Sequence, residues 1–246
     1  MIFIIDSFWR RVVATFDASR THRAAVFQQI ERAIASVAIV VSVGSSAHAD
    51  QDWTVGAYAG GAWTHSADVT LVSSTNGQQV LPDVTFRSES FESPIYYGYR
   101  MGHRLGRTAL FVEGELIHLK VVANEQTLAP PLESLAMTHG MNLVLGNALW
   151  MRRAGNDRVR VTLRGGFGIT VPHAETRVHG QERGAYEYGS LGWQLAPGVA
   201  LHATGPLYLN AEYKFTSARP EIETADGQAT VPARTHHWLI GVTAMF

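Results

Sequence analysis

The side chains in this sequence best able to do chemistry are its histidines. There are eleven. His22 and His48 precede position 50, which leaves nine for the rest of the chain. Among these, His118, His139 and His173, with Glu175, form the most suggestive set. His173 and Glu175 are two residues apart, so on an extended chain both point the same way. Imidazoles gathered beside a carboxylate can bind a divalent metal or pass protons. No compact motif such as HExxH is present, so only the fold can bring these residues together. There is no cysteine, which excludes disulfides, zinc–thiolate sites and thiol catalysis. The net charge of −1 gives no basic field for nucleic acid.

The elements that must position these residues read as strands. In Arg158–Val171 the odd positions are apolar apart from Gly165, and the even positions are polar or glycine. A strand sorts such a run onto two faces, whereas a helix would mix Arg160 and Arg164 with Val161 and Leu163. A transmembrane β-strand needs about 9–11 tilted residues with this alternation. Seven more segments repeat the pattern: 52–64, 94–104, 108–121, 137–151, 186–201, 207–217 and 234–246. In the fourth strand, Met141, Leu143, Leu145 and Leu149 are expected on the apolar, lipid-facing side. Long polar connections (66–89, 122–135, 173–185, 218–233) alternate with short turns at 105–107, 152–157 and 203–206. The prediction is an all-β, eight-stranded antiparallel transmembrane barrel with four long extracellular loops and short periplasmic turns.

A soluble barrel of lipocalin type would also have eight alternating strands. Three features favour the membrane. The apolar faces hold no charge at mid-strand, Arg and Glu occupy the opposite faces, and the chain ends on Phe246 with apolar residues at alternate positions before it. That ending fits the insertion signal read by the barrel-assembly machinery. Upstream, Arg32 precedes the apolar run Ala33–Val43, and Ala47-His48-Ala49 fits a small-x-small cleavage site. Residues 1–49 are therefore expected to be leader and signal peptide, with cleavage near Ala49. Residues 50–246 are expected to be the barrel, placed in the bacterial outer membrane.

An eight-stranded barrel is filled by side chains rather than water. Arg100, Glu113, Glu115, Arg160, Arg164, Glu212 and Lys214 should therefore meet inside as a salt-bridged plug, which argues against a pore. His103 and His202 fall at periplasmic strand ends. His65, His118, His139, His173, His179, His236 and His237 fall at outer strand ends or in the third loop. His118, His139 and His173 come from three consecutive strands and can share one outer end, with Glu175 as a fourth ligand or a base.

Several segments together resemble the lipid A oxidase family: Trp53–Thr64, His118-Leu119-Lys120, Thr138-His139-Gly140-Met141-Asn142-Leu143, Val171-Pro172-His173-Ala174-Glu175 and Glu212-Tyr213-Lys214-Phe215. These are small OmpA-like barrels that act on lipid A. The resemblance spans most of residues 52–246. It implies oxidation by molecular oxygen of the proximal glucosamine of lipid A to an aminogluconate unit, with lipopolysaccharide in the outer membrane as partner. A divalent metal would suit that chemistry, because oxygen reacts slowly with a sugar unaided. His118, His139, His173 and Glu175 are the expected catalytic residues, with the three histidines as metal ligands. The alternative is a non-catalytic OmpA-like structural or adhesive barrel whose function lies in its long loops. A deacylase of Ser-His-Glu type fits less well: Ser134 and His139 lack a His-x-Ser spacing, and adjacent His65 and Ser66 point to opposite faces.

Overall fold

The computed structural model describes residues 51–246. The expected leader and cleavage point lie outside the described residues. Eight antiparallel strands close into a barrel: β1 (Trp53–Thr64), β2 (Tyr97–Arg104), β3 (Leu110–His118), β4 (Met141–Ala154), β5 (Asn156–Val178), β6 (Ser190–Thr204), β7 (Leu207–Ala218) and β8 (Ala233–Met245). Neighbours in sequence are neighbours in space. Pairing of β1 with β8, from Thr54↔Met245 to Thr64↔Thr235, completes the cylinder. Closure leaves no strand edge unpaired, which a bilayer requires.

Side chains alternate across the wall as the period-two pattern demands. Met101, Val112, Leu163, Phe167, Leu195, Leu209 and Ile240 are exposed on the outer surface. Trp53 and Trp150 stand at the end with the short turns and Trp63 and Trp193 toward the other, an arrangement like the aromatic girdles of membrane barrels. β4 departs from expectation. Leu143, Leu145, Leu149 and Met151 point inward, and Val144 and Trp150 face out. Both faces of this strand are largely apolar, so hydropathy did not fix its register. Asn147 does, because facing inward it can pair with lumen carboxylates.

The lumen is packed in three layers. Phe111, Leu149, Met151, Ala200, Tyr208 and Met245 fill the end with the short turns. The middle is ionic. Arg100 Nε donates to Glu115 at 2.8 Å and its Nη2 to Glu212 at 2.5 Å. Arg164 Nε donates to Glu113 at 2.5 Å, and its Nη1 reaches Glu212. Lys214 donates to Glu115. Three neutral groups complete the layer: the Tyr58 hydroxyl on Glu115 at 2.6 Å, Asn147 on Glu115 at 2.8 Å, and Gln194 on Asn147 at 2.7 Å. Gly98 makes room for this layer, since a Cβ there would lie 2.1 Å from the Tyr58 ring.

Arg160 is not part of the ionic layer. It donates to Tyr208 Oη at 2.8 Å and Gln51 Oε1 at 2.6 Å and lies over the Tyr208 ring. It is four residues from Arg164, about 13 Å along a strand, too far to reach the same carboxylates. A cavity of about 20 Å³ is lined by Arg100, Glu113, Arg164 and Glu212 among others. That is room for about one water and not for a channel.

The outer layer is apolar and continues above the barrel, because the long connections are not irregular loops. The first and fourth form hairpins, Ala67–Ser73 with Gly77–Val84 and Glu221–Thr224 with Gly227–Thr230, joined in one four-stranded sheet. The third is β5 itself, running on to Val178 and returning as Gln181–Tyr186. The second supplies Val121–Ala123 and Leu132–Met137, the latter paired with β5. Val69, Leu71, Leu81, Leu119, Leu132, Met137 and Ile222 are buried between these elements. At the tips, Asp226 accepts hydrogen bonds from Ser73 and Ser74. These bonds, that from Ser73 first, hold its carboxyl below the ordinary value.

Candidate metal centre on the outer wall

The odd residues of β5 face outward along its whole length. Phe167, Ile169 and Val171 are followed on the same face by His173 and Glu175. The polar pair therefore sits on the outer wall just beyond the apolar belt. Two neighbouring elements frame it. On one side Gln181–Tyr186 places Tyr186 opposite His173 and Gly184 opposite Glu175. On the other, Leu132–Met137 places Ala136 opposite Glu175, and the chain then turns through Thr138, His139 and Gly140. The His173 amide donates to the Gly140 carbonyl at 3.0 Å, which pins this turn to β5.

His139, His173 and Glu175 converge: one ligand atom from each lies within 4.8 Å of the others. Glu175 is the hub. Its Oε1 is 2.9 Å from His139 Nδ1 and 3.5 Å from His173 Nδ1, and its Oε2 accepts the Thr138 hydroxyl at 2.7 Å. The two imidazoles meet edge to face at 4.7 Å, and His173 also meets the Tyr186 ring at 4.5 Å. Exposure falls from 59% for His139 through 36% for Glu175 to 20% for His173. The group therefore opens outward, away from the barrel wall.

His118 is not in this group. It stacks on Tyr97 at 4.9 Å, and its Nδ1 bonds Asn142 Oδ1 at 2.9 Å. It lies beneath the turn. Gly140 has a φ of 100°, and a Cβ there would come within 2.5 Å of His118 Nδ1. His118 therefore supports the backbone that carries His139. Thr138 and Tyr186 join the site without having been singled out in the sequence. Reading His179-Gly180 as a hairpin turn would have paired Tyr186 with His173.

The other histidines are dispersed. His103 packs on Trp53, and His202 bonds the Gly205 carbonyl, both at the periplasmic end. His179 reaches Asn76 at the far tips. His237 is buried in the lumen against Thr216. His65 and His236 face outward and bond each other, while Ser66 donates to Asp83, so no Ser–His pair forms there.

The residues present fit a metal ion. His173 Nδ1 is buried with no hydrogen-bond partner, although Glu175 stands in front of it. Metal bonds of about 2.1 Å put tetrahedral ligand atoms about 3.4 Å apart, so small side-chain rotations would close the set. Two histidines and one carboxylate with an open side suit zinc with a free position, or iron(II) in a facial triad.

Comparison with known proteins places the molecule. Neisserial surface protein A is similar over 80% of this chain and 98% of its own, at 14% identity and a TM-score of 0.41. OprG of Pseudomonas aeruginosa is similar over 79% and 95%, at 8% identity and a TM-score of 0.41. Ail, the attachment invasion locus protein of Yersinia pestis, is similar over 79% and 97%, at 10% identity and a TM-score of 0.36. No curated protein matches the chain. Residues 35–246 match the family model of the outer membrane protein beta-barrel domain. With a closed barrel, an apolar outer belt and that match over most of its length, the chain belongs to the outer-membrane β-barrel family.

Proposed function

We propose that this outer-membrane barrel modifies lipid A in the outer leaflet, as an oxygen-dependent lipid A oxidase does, through His139, His173 and Glu175. The observation that carries this reading is their convergence on the outer wall directly above the apolar belt. A lipid-soluble substrate can reach that place without leaving the membrane, and the packed lumen offers it no competing site. The resemblance of 138–143 and 171–175 to lipid A oxidases names the chemistry. The proximal glucosamine, its anomeric hydroxyl free of phosphate, gives up two electrons and two protons to oxygen, which leaves as hydrogen peroxide, and addition of water to the resulting lactone completes the aminogluconate.

His139 and His173 would hold a divalent metal together with Glu175, and the bound metal would supply the means of activating oxygen. Glu175 keeps a second oxygen, now bonded to Thr138, with which to accept the proton of the anomeric hydroxyl. Tyr186, exposed beside His173, offers a flat face for a sugar ring. His118 is assigned to positioning rather than to the metal. The reading includes export with removal of residues 1–49, insertion by the barrel-assembly machinery, and residence in the bacterial outer membrane.

A non-catalytic adhesive barrel is the second reading. It draws on Val72 and Val80, which are exposed on the extracellular four-stranded sheet. Mass spectrometry of lipid A from a deletion strain separates the two. Loss of a species one oxygen heavier supports the oxidase, and an unchanged spectrum supports the barrel alone.

A further inference from the structure

A second polar group stands on the outer wall, on the far side of the barrel from His139. It belongs to β7, β8 and β1, which adjoin one another in the cylinder. Tyr213 Oη bonds His236 Nδ1, and His236 Nε2 lies 2.7 Å from His65 Nε2. Trp63 stacks on His236 at 5.6 Å and contacts His65 at 4.4 Å. The imidazoles are thus held in a fixed plate beside an exposed indole.

Two guanidiniums rise beyond this plate. Arg234 lies opposite Ser217 in the β7–β8 register, and Arg219 is two residues past Ser217 on the same face. Both are exposed, and neither side chain makes an ion pair among the described residues. Other exposed arginines of the extracellular part are paired: Arg177 with Glu182 and Arg183 with Glu223. From Tyr213 to Arg219, Arg234 to Trp238 and Trp63 to His65, the outward positions carry no carboxylate. The exposed acids bordering it are Glu221, one outward step beyond Arg219, and Asp83, which accepts from Ser66 next to His65.

We propose that this wall is a docking site for the phosphorylated sugar headgroup of an outer-leaflet glycolipid, separate from the candidate metal centre. The position decides for a lipid. On β8 the outward sequence passes from Ile240 and Trp238 to His236 and then Arg234, from apolar belt to headgroup level. β1 rises from Trp53 to His65, about 30 Å along the barrel axis at the usual tilt, close to the thickness of a bilayer's hydrocarbon core. The charge decides for phosphate, which paired donors of unengaged arginines bind well. The exposed rings of Trp63 and Trp238 decide for a saccharide over a simple phospholipid, which would use the arginines alone.

The proposal needs no catalysis, so its test is run without turnover. The full barrel, folded in detergent, is titrated anaerobically with diphosphorylated lipid A and read by native mass spectrometry. Arg219→Gln/Arg234→Gln should weaken retention roughly tenfold or more. Arg152→Gln/Arg153→Gln, which removes the same charge at the periplasmic turn, should retain wild-type affinity. Trp63→Ala should weaken lipid A retention and leave phosphatidylglycerol unaffected. Faster migration on unheated gels certifies that each variant is folded. Wild-type retention by the Arg219/Arg234 variant overturns the site. Equal retention of dephosphorylated lipid A or of phosphatidylglycerol overturns the assigned occupant. An unchanged lipid A spectrum in the deletion strain, with these results intact, would reject the proposed enzyme and leave this site standing.

Discussion

Glu115→Ala is expected to destabilise the barrel by about 3–5 kcal/mol, the cost of leaving buried charges without their counter-ion. Glu115 accepts from Tyr58, Arg100, Asn147, Gln194 and Lys214, more partners than any other lumen residue makes. Its removal leaves Lys214, which is fully enclosed, with only Glu212 at 3.9 Å as a carboxylate neighbour. Glu115→Gln keeps the shape and loses the charge, so it should fall between wild type and alanine. The urea midpoint of the detergent-folded protein measures the effect, together with the temperature at which unheated-gel migration is lost. A wild-type midpoint for the alanine variant would mean that water reaches this layer and screens it.

His173→Ala should lower affinity for a divalent transition metal by more than about 100-fold, since even residues that merely support a ligand cost 10–100-fold. Titration of the purified barrel with zinc or, without air, iron(II) gives the stoichiometry and the loss. Glu175→Gln should act as strongly, because Glu175 is the group that both histidines approach. Neither change touches the lumen, so the urea midpoint should hold. Equal metal binding by wild type and both variants would reduce the cluster to a hydrogen-bonded surface patch.

The barrel was legible because its demands are periodic. A bilayer outside and a filled lumen inside leave two kinds of position per strand, and Arg158–Val171 displays both with Gly165 as its one exception. β4 was misread because an eight-stranded lumen also needs apolar filling at its ends. Leu143 and Leu149 look lipid-facing in sequence and are plug residues in the fold. Arg160 shows the complementary limit: alternation gives the face of a residue but not its depth.

The extracellular sheets left local signs that composition masked. His179-Gly180 is a two-residue hairpin turn, and Asn76-Gly77 and Asp226-Gly227 end the turns that close the other two hairpins, each with its glycine as the first paired residue of the return strand. Val69 and Leu71 alternate with polar neighbours beside the first of them. Their cross-connections are long-range, and no local pattern announces that the first and fourth hairpins share a sheet.

For the candidate site, spacing placed His173 and Glu175 on one face, and topology brought His139 to the same end. Separating His118 from them required the turn geometry at Gly140, where two non-glycine residues could not pack. The basic wall at Arg219 and Arg234 was not visible in sequence, because the two arginines stand at either end of the fourth connection and their aromatic neighbour Trp63 comes from β1 at the other end of the described chain.

The most direct measurement is the mass of lipid A with a free anomeric hydroxyl on its proximal sugar after incubation in air with the purified, metal-loaded barrel. Wild type should add one oxygen atom to the molecule, at the proximal sugar, and Glu175→Gln, still folded by gel migration, should add none. Lipid A of unchanged mass after incubation with a folded, metal-loaded wild-type protein would contradict the account. The outer-membrane barrel would then stand without the enzyme.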